Sequence, residues 1–210
     1  MADRSAFFYG TLVCLLESIT SQQSLQPQQM APQVLYRVIY GSTNPTPSQK
    51  SCLIIEPAIL PQYTRRRVRD CDYPAIVPSS EPGACVRGTY VRGLTSDDQW
   101  RLDLFEGSQY ERIRLRLNLL DAKENEGEEV EAETYVWAED IRGLENGEWD
   151  FEEFRREKMG RWVGNDKEYE EVDDAVEKKD PTGGRVVKGE IGGKLAVKGK
   201  SEEEVLGNAV

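Results

Sequence analysis

Short apolar runs in this chain are separated by Gly, Pro and Asp breaks, and the period of each run predicts its element. Ala6-Phe7-Phe8-Tyr9 reads as a short aromatic strand stopped at Gly10, after which the spacing over Thr11 to Ile19 predicts a short helix. Ser21 to Pro32 is rich in Gln, Ser and Pro and reads as a loop, Val34 to Tyr40 as a helix with a β alternative, and Gly41 to Lys50 as a second loop. Cys52 to Ile59, Tyr63 to Asp70 and Tyr73 to Val77 read as strands set off by Pro and Asp, and Ala84 to Val91 alternates and should pair with them.

The middle of the chain carries the clearest signals. Thr95-Ser96-Asp97-Asp98 is a helix start, because a hydroxyl or carboxylate caps free N–H groups and acids suit the positive end of the dipole. That helix should end at Phe105 or Glu106, with Gly107 as the residue that turns the chain out of it at positive φ. In Tyr110 to Leu120, Ile113, Leu115, Leu117 and Leu119 alternate with Arg112, Arg114, Arg116 and Asn118, giving a strand with one buried and one wet face. Val130 to Ala138 repeats the pattern across an acidic hairpin loop, Lys123 to Glu129. Trp149 to Val163 predicts a closing helix with Phe151, Phe154, Met159 and Trp162 available for packing. Together these elements predict an α+β fold, either a small mixed β-barrel or a strongly curved mixed sheet, with flanking helices.

Composition narrows the picture. The 210 residues suggest one domain, placed at 1–164, followed by a segment, 165–210, that is acidic and then Gly- and Lys-rich. That segment has few large apolar side chains to offset the entropy of ordering and is expected to be largely flexible. With 27 Lys+Arg against 38 Asp+Glu the formal charge is −11, which argues against nucleic acid as the main partner. Histidine is absent, which excludes Ser-His-Asp and Cys-His nucleophiles, His-ligated zinc and an imidazole base. Cys14, Cys52, Cys71 and Cys85 form no C-x-x-C pair and read as reduced thiols. No apolar stretch is long enough for a membrane helix, and residues 6–16 imitate a signal core only superficially, so a soluble, cytoplasmic protein without membrane partners is expected.

Two places invite chemistry. Glu106 lies between Leu104-Phe105 and Gly107, and a carboxylate among apolar neighbours has its charged form disfavoured, which lifts its pKa toward a range useful for proton transfer. A solvated glutamate at a helix end is the plain alternative. Tyr9-Gly10-Thr11-Leu12 is a glycine turn between a strand and a helix start, which exposes backbone N–H groups able to hold a carboxylate or phosphate; an ordinary turn is its alternative. Cys14 nearby defaults to packing. Arg65, Arg66, Arg67 and Arg69 form a basic patch, read as a solvated edge strand with an anion site as the alternative.

Five motifs occur in order: Phe8-Tyr9-Gly10-Thr11-Leu12, Tyr73-Pro74-Ala75-Ile76, Val86-Arg87-Gly88-Thr89-Tyr90, Leu102-Asp103-Leu104-Phe105-Glu106-Gly107 with Tyr110 and Arg112, and Tyr135-Val136-Trp137. As a set, over residues 6 to 163, they resemble the gamma-glutamylcyclotransferase-like superfamily, in particular the branch of gamma-glutamylamine cyclotransferases and plant avirulence-induced proteins. The resemblance implies a small β-barrel with peripheral helices, and an enzyme that closes a γ-glutamyl group into 5-oxoproline with release of a free amine or amino acid. It implies Glu106 as the acid/base, backbone binding of a small-molecule γ-glutamyl substrate along Tyr9, Gly10, Thr11, Leu12, Val13 and Cys14, Tyr110 as a pocket tyrosine, and no metal or organic cofactor. Two alternatives stand beside it: a non-catalytic ligand- or protein-binding module on the same fold, and a reaction with Cys14 as nucleophile. The chain departs from compact members in the stretch before Tyr73, residues 20–72, and after Gly164. Both departures bear on the acceptor side of the pocket.

Overall fold

In chain order the elements are β1 (Arg4–Phe8), α1 (Gln33–Tyr40), α2 (Pro47–Lys50), β2 (Ile54–Pro61), β3 (Tyr63–Arg67), β4 (Pro74–Pro78), β5 (Cys85–Leu94), α3 (Ser96–Glu106), β6 (Tyr110–Leu120), β7 (Glu126–Trp137), a 3₁₀ turn at Ile141–Gly143, α4 (Phe151–Glu157) and α5 (Glu170–Lys179). The structure, a computed structural model, describes residues 4–10, 33–158 and 169–179. The helix expected over Thr11 to Ile19, the loop from Ser21 to Pro32, the end of the closing helix and residues 180–210 lie outside the described residues.

The alternation in β6 and β7 builds the longest hairpin, with Tyr110 opposite Trp137 and Leu117 opposite Val130. Leu115 and Leu117 turn inward. Arg114 and Arg116 turn outward and face Glu133 and Glu131 across the pair, which offsets the repulsion between these strand acids. This shortens the expected loop: β7 begins at Glu126, and the turn before it is tied by Asp121, whose Oδ1 accepts from the Lys123 and Asn125 amides at 2.7 and 2.9 Å.

Five strands close into a barrel in the order β1-β5-β2-β6-β7. All neighbours are antiparallel except β1 and β7, which meet in parallel at Ala6 and Glu133, so the barrel is mixed. Phe7, Ala58, Leu60, Leu117 and Ala132 fill one part of the core, and a second part, with Leu35, Ile39, Leu94 and Leu102, joins the barrel to α1 and α3. β3 and β4 form a separate two-stranded sheet, with Arg65 opposite Ile76 and Arg67 opposite Pro74. The strand expected as far as Asp70 stops at Arg67, because Val68 makes only an isolated bridge to Leu144 and Asp70 sits at φ 58°. The loop expected at 41–50 contains α2, nucleated by a capping box between Thr46 and Gln49.

The packed fold extends past the boundary placed at 164. Tyr169 is 1% exposed and, with Val172, Ala175 and Val176, is buried; Tyr169 joins the core beside α1 and α3. Among the described residues no helix is long and apolar enough to cross a membrane.

Candidate active site

α3 is defined at both ends by its sequence. Thr95 and Asp98 exchange side-chain-to-backbone hydrogen bonds, with the Thr95 amide donating to Asp98 Oδ2 at 2.7 Å and the Asp98 amide donating to Thr95 Oγ1 at 3.1 Å. Gly107, at φ 72°, leaves the helix at once. Glu106 is therefore the last helical residue, and the chain re-enters the barrel at Tyr110 three residues after Gly107.

The helical period sets Gln99, Asp103 and Glu106 on one face of α3. That face meets β7 at Tyr135. The Tyr135 phenol donates to Asp103 Oδ1 at 2.9 Å and accepts from the Gln99 amide, also at 2.9 Å. Arg112 Nε reaches the same Asp103 oxygen at 2.9 Å. From the other side Tyr9 closes in, its phenol donating to the Tyr135 carbonyl at 2.6 Å. Tyr110 donates to the Pro74 carbonyl at 3.0 Å and packs edge-on against Trp137.

Glu106 stands among these groups. Burial, and then the Asp103 carboxylate one turn away, push its pKa from 4.5 up to about 8. The negative end of α3 acts in the same direction. The influence is mutual. Burial first, and the Glu106 charge after it, raise the phenol of Tyr9; the Tyr110 phenol is raised by burial, then by Tyr9 and by Glu106. Tyr135 is raised by burial, then by Asp103 and Glu106. Asp103 is itself raised by burial, with Tyr135 and Arg112 pulling the other way.

Two of the motifs meet at Gly10. A Cβ on that residue would lie 2.7 Å from Pro74 Cγ, so the glycine is required by the proline ring that covers it. A substitution such as Gly10→Val, which appears from sequence to test only ligand approach, disrupts this packing first. Thr11, Leu12, Val13 and Cys14 lie outside the described residues.

Among the residues named from sequence, Glu106, Tyr9, Gly10 and Tyr110 belong to this neighbourhood. Asp103, named from sequence only as part of a motif, is tied to Tyr135 and Arg112. Gln99 and Tyr135 were not singled out as site residues; the i, i+4, i+7 spacing of 99, 103 and 106 was the available signal for the first. Arg65 is a correction. Its side chain is 15% exposed, not on a solvated edge, and its Nη1 donates to the Tyr9 carbonyl at 2.9 Å.

A model of the family described as gamma-glutamyl cyclotransferase, AIG2-like, matches residues 6–151. The chain belongs to this family. AIG2-like protein A of Arabidopsis thaliana is 38% identical over 99 residues, 47% of this chain and 56% of that protein. AIG2-like protein C of the same plant is 32% identical over 132 residues, 63% of this chain and 70% of that protein. The match therefore spans little more than half of the first of these relatives. The solution structure of At3g28950.1 from Arabidopsis thaliana superposes with a TM-score of 0.50 at 27% identity, covering 81% of this chain and 84% of that one.

Proposed function

We propose that this member of the family is a γ-glutamyl cyclotransferase in which Glu106 acts first as base and then as acid. The supporting observation is the position of Glu106: a carboxylate at a helix end, withdrawn from water among Tyr9, Tyr110 and Tyr135, with a pKa of about 8. A carboxyl raised to this range can both take up and give back a proton near neutral pH, the condition for one group to serve as general base and then general acid.

In this reading the Glu106 carboxylate takes one proton from the substrate α-ammonium. The freed nitrogen attacks the γ-carbonyl carbon of the same glutamyl group, and a C–N bond closes a five-membered lactam. The tetrahedral intermediate expels the original amide nitrogen, which receives the proton from Glu106 as the C–N bond breaks, and the surplus proton on the ring nitrogen passes to the released amine, which departs as an ammonium ion. The products are 5-oxoproline and a free amine or amino acid, and no water is consumed. Because nucleophile and electrophile share one molecule, the protein's main task is to hold the substrate folded. The Tyr9–Gly10 turn, pinned by Pro74 and Arg65, supplies the adjoining wall.

Glu106→Gln is the direct test, because it keeps the size and hydrogen bonding of the side chain but cannot accept a proton. With γ-glutamyl substrates and mass-spectrometric detection of 5-oxoproline, a loss of roughly 10²–10⁴-fold in kcat is expected. A folded Gln variant with undiminished release removes Glu106 from the mechanism. Wild-type protein that binds 5-oxoproline yet forms none from any γ-glutamyl substrate is a binding module on this fold.

A further inference from the structure

The two-stranded sheet of β3 and β4 belongs to the stretch before Tyr73 and to the strand after it, and it brings a cation to the site. In the antiparallel register Arg65 faces Ile76, so its side chain emerges on the sheet face that is buried against the barrel rather than on the face that carries Arg66. The guanidinium rests over the Trp149 ring, 5.4 Å from its centroid, and Nη1 is used by the Tyr9 carbonyl at 2.9 Å. It lies close enough to the Tyr9 phenol for each to influence the other's ionisation.

What remains is the other edge of the fork. Nε is buried and has no hydrogen-bond acceptor among the described residues. Nη2, beside it in the plane, has a single long contact of 3.4 Å to Glu148 Oε1, and the Glu148 side chain is 73% exposed. A guanidinium this withdrawn from water needs well-formed partners, and the Nε–Nη2 edge matches the two oxygens of one carboxylate. Glu148 approaches that edge with one oxygen and poor geometry, as a weak internal occupant of a place built for a better one.

We propose that Arg65 binds, through its Nε–Nη2 edge, a carboxylate on the leaving-group side of the substrate, displacing Glu148. This inference rests on the proposed γ-glutamyl reading and narrows it to γ-glutamyl amino acids over γ-glutamyl amines. The carboxylate of the glutamyl group itself is the other source of the same chemistry. The edge is already approached by Glu148, whose side chain is 73% exposed, so a carboxylate that replaces it enters from the solvent side, the direction in which a leaving group rather than the folded glutamyl end extends.

Two ligands that differ only in the carboxylate separate the cases: γ-glutamyl-alanine and γ-glutamyl-ethylamide. Binding of each by calorimetry, alongside 5-oxoproline release, keeps the two readings apart, because absent turnover counts against the enzyme while the binding ratio still tests Arg65. Wild-type protein should prefer the alanine ligand by roughly 10- to 100-fold, the range for a hydrogen-bonded charge. Arg65→Gln retains a donor for the Tyr9 carbonyl and should collapse that preference toward unity. Glu148→Gln, on the surface, should tighten γ-glutamyl-alanine several-fold and leave γ-glutamyl-ethylamide as it was. If Arg65→Gln instead weakens both ligands equally and Glu148→Gln tightens both, the carboxylate bound is the glutamyl group's own. A wild-type protein without preference whose affinities ignore Glu148→Gln overturns the assignment and leaves Arg65 as a support for Tyr9, and this holds even where Arg65→Gln fails to fold.

Discussion

The Tyr135 phenol and the Asp103 carboxylate share a hydrogen bond of 2.9 Å one helical turn before Glu106. Through it β7 holds a second acid beside the candidate base, and the base is felt as far as Tyr9 at the end of β1. Charge, rather than contact alone, links the barrel to α3.

The pH dependence follows from that pair. If Glu106 must be ionised to act, kcat/KM rises about tenfold per unit below a pKa of about 8 and levels above it. Asp103→Asn removes the neighbouring negative charge, which is the second cause of the upward shift, so the rising limb should move to lower pH. A pH–rate profile of the two proteins decides it; coincident limbs count against Asp103 as the neighbour that tunes Glu106.

Stability should move the opposite way from activity. The folded-state pKa of Glu106, about 8, lies above its ordinary 4.5, so the folded protein keeps a proton that the unfolded chain has lost. That contribution is complete below about pH 4.5, declines as the pH rises, and is gone above about pH 8. At 1.36 kcal/mol per unit its ceiling is roughly 5 kcal/mol. Glu106→Gln has no such ionisation, so urea unfolding should show it more stable than wild type at pH 9 and little different at pH 5. A gap of the same size at both pH values would falsify the linkage.

Gly10 and Pro74 should behave as a coupled pair. Gly10→Ala places a methyl 2.7 Å from Pro74 Cγ and is expected to cost about 1–3 kcal/mol, the usual range for overpacking. Pro74→Ala removes the obstructing ring atoms, so the double variant should recover much of the loss. Additive costs in the double-mutant cycle would show that the two residues do not meet.

Tyr169 carries the attachment of α5. It stacks on Phe105 at 5.8 Å and lies under the Arg37 guanidinium at 4.6 Å, while Arg37 also pairs with Asp173 through two hydrogen bonds. Tyr169→Ala should destabilise the protein by about 3–5 kcal/mol, as for other large buried rings. Tyr169→Phe keeps the ring and should lose less than the Ala variant in thermal unfolding. Because Phe105 precedes Glu106, the Ala variant should also lose turnover below its melting range; full activity there would separate α5 from the site.

The strands and the helix that frame the site were legible because their signals are local. The alternation of Ile113, Leu115 and Leu117, the Thr95–Asp98 box and Gly107 each specify an element within a few residues, and β6 and α3 have the expected bounds. α5 was missed because its few apolar residues, Val172, Ala175 and Val176, have meaning only against the surfaces of α1 and α3. Arg65 was misread for a related reason. An arginine-rich run looks wet until the partner strand decides which of its faces turns inward.

Sequence alone determined the order of the five motifs, the end of α3 to within a residue of Glu106 and, through the absence of histidine, the exclusion of an imidazole as proton carrier. Tertiary structure decided which residues surround that carboxylate. Barrel closure brings Tyr9, just past β1, together with Tyr110 and Tyr135 on the paired strands β6 and β7 at one end of one helix, and only that packing lifts Glu106 away from an ordinary acid. Motif order is written along the chain, whereas a pKa depends on what is packed around the group in space.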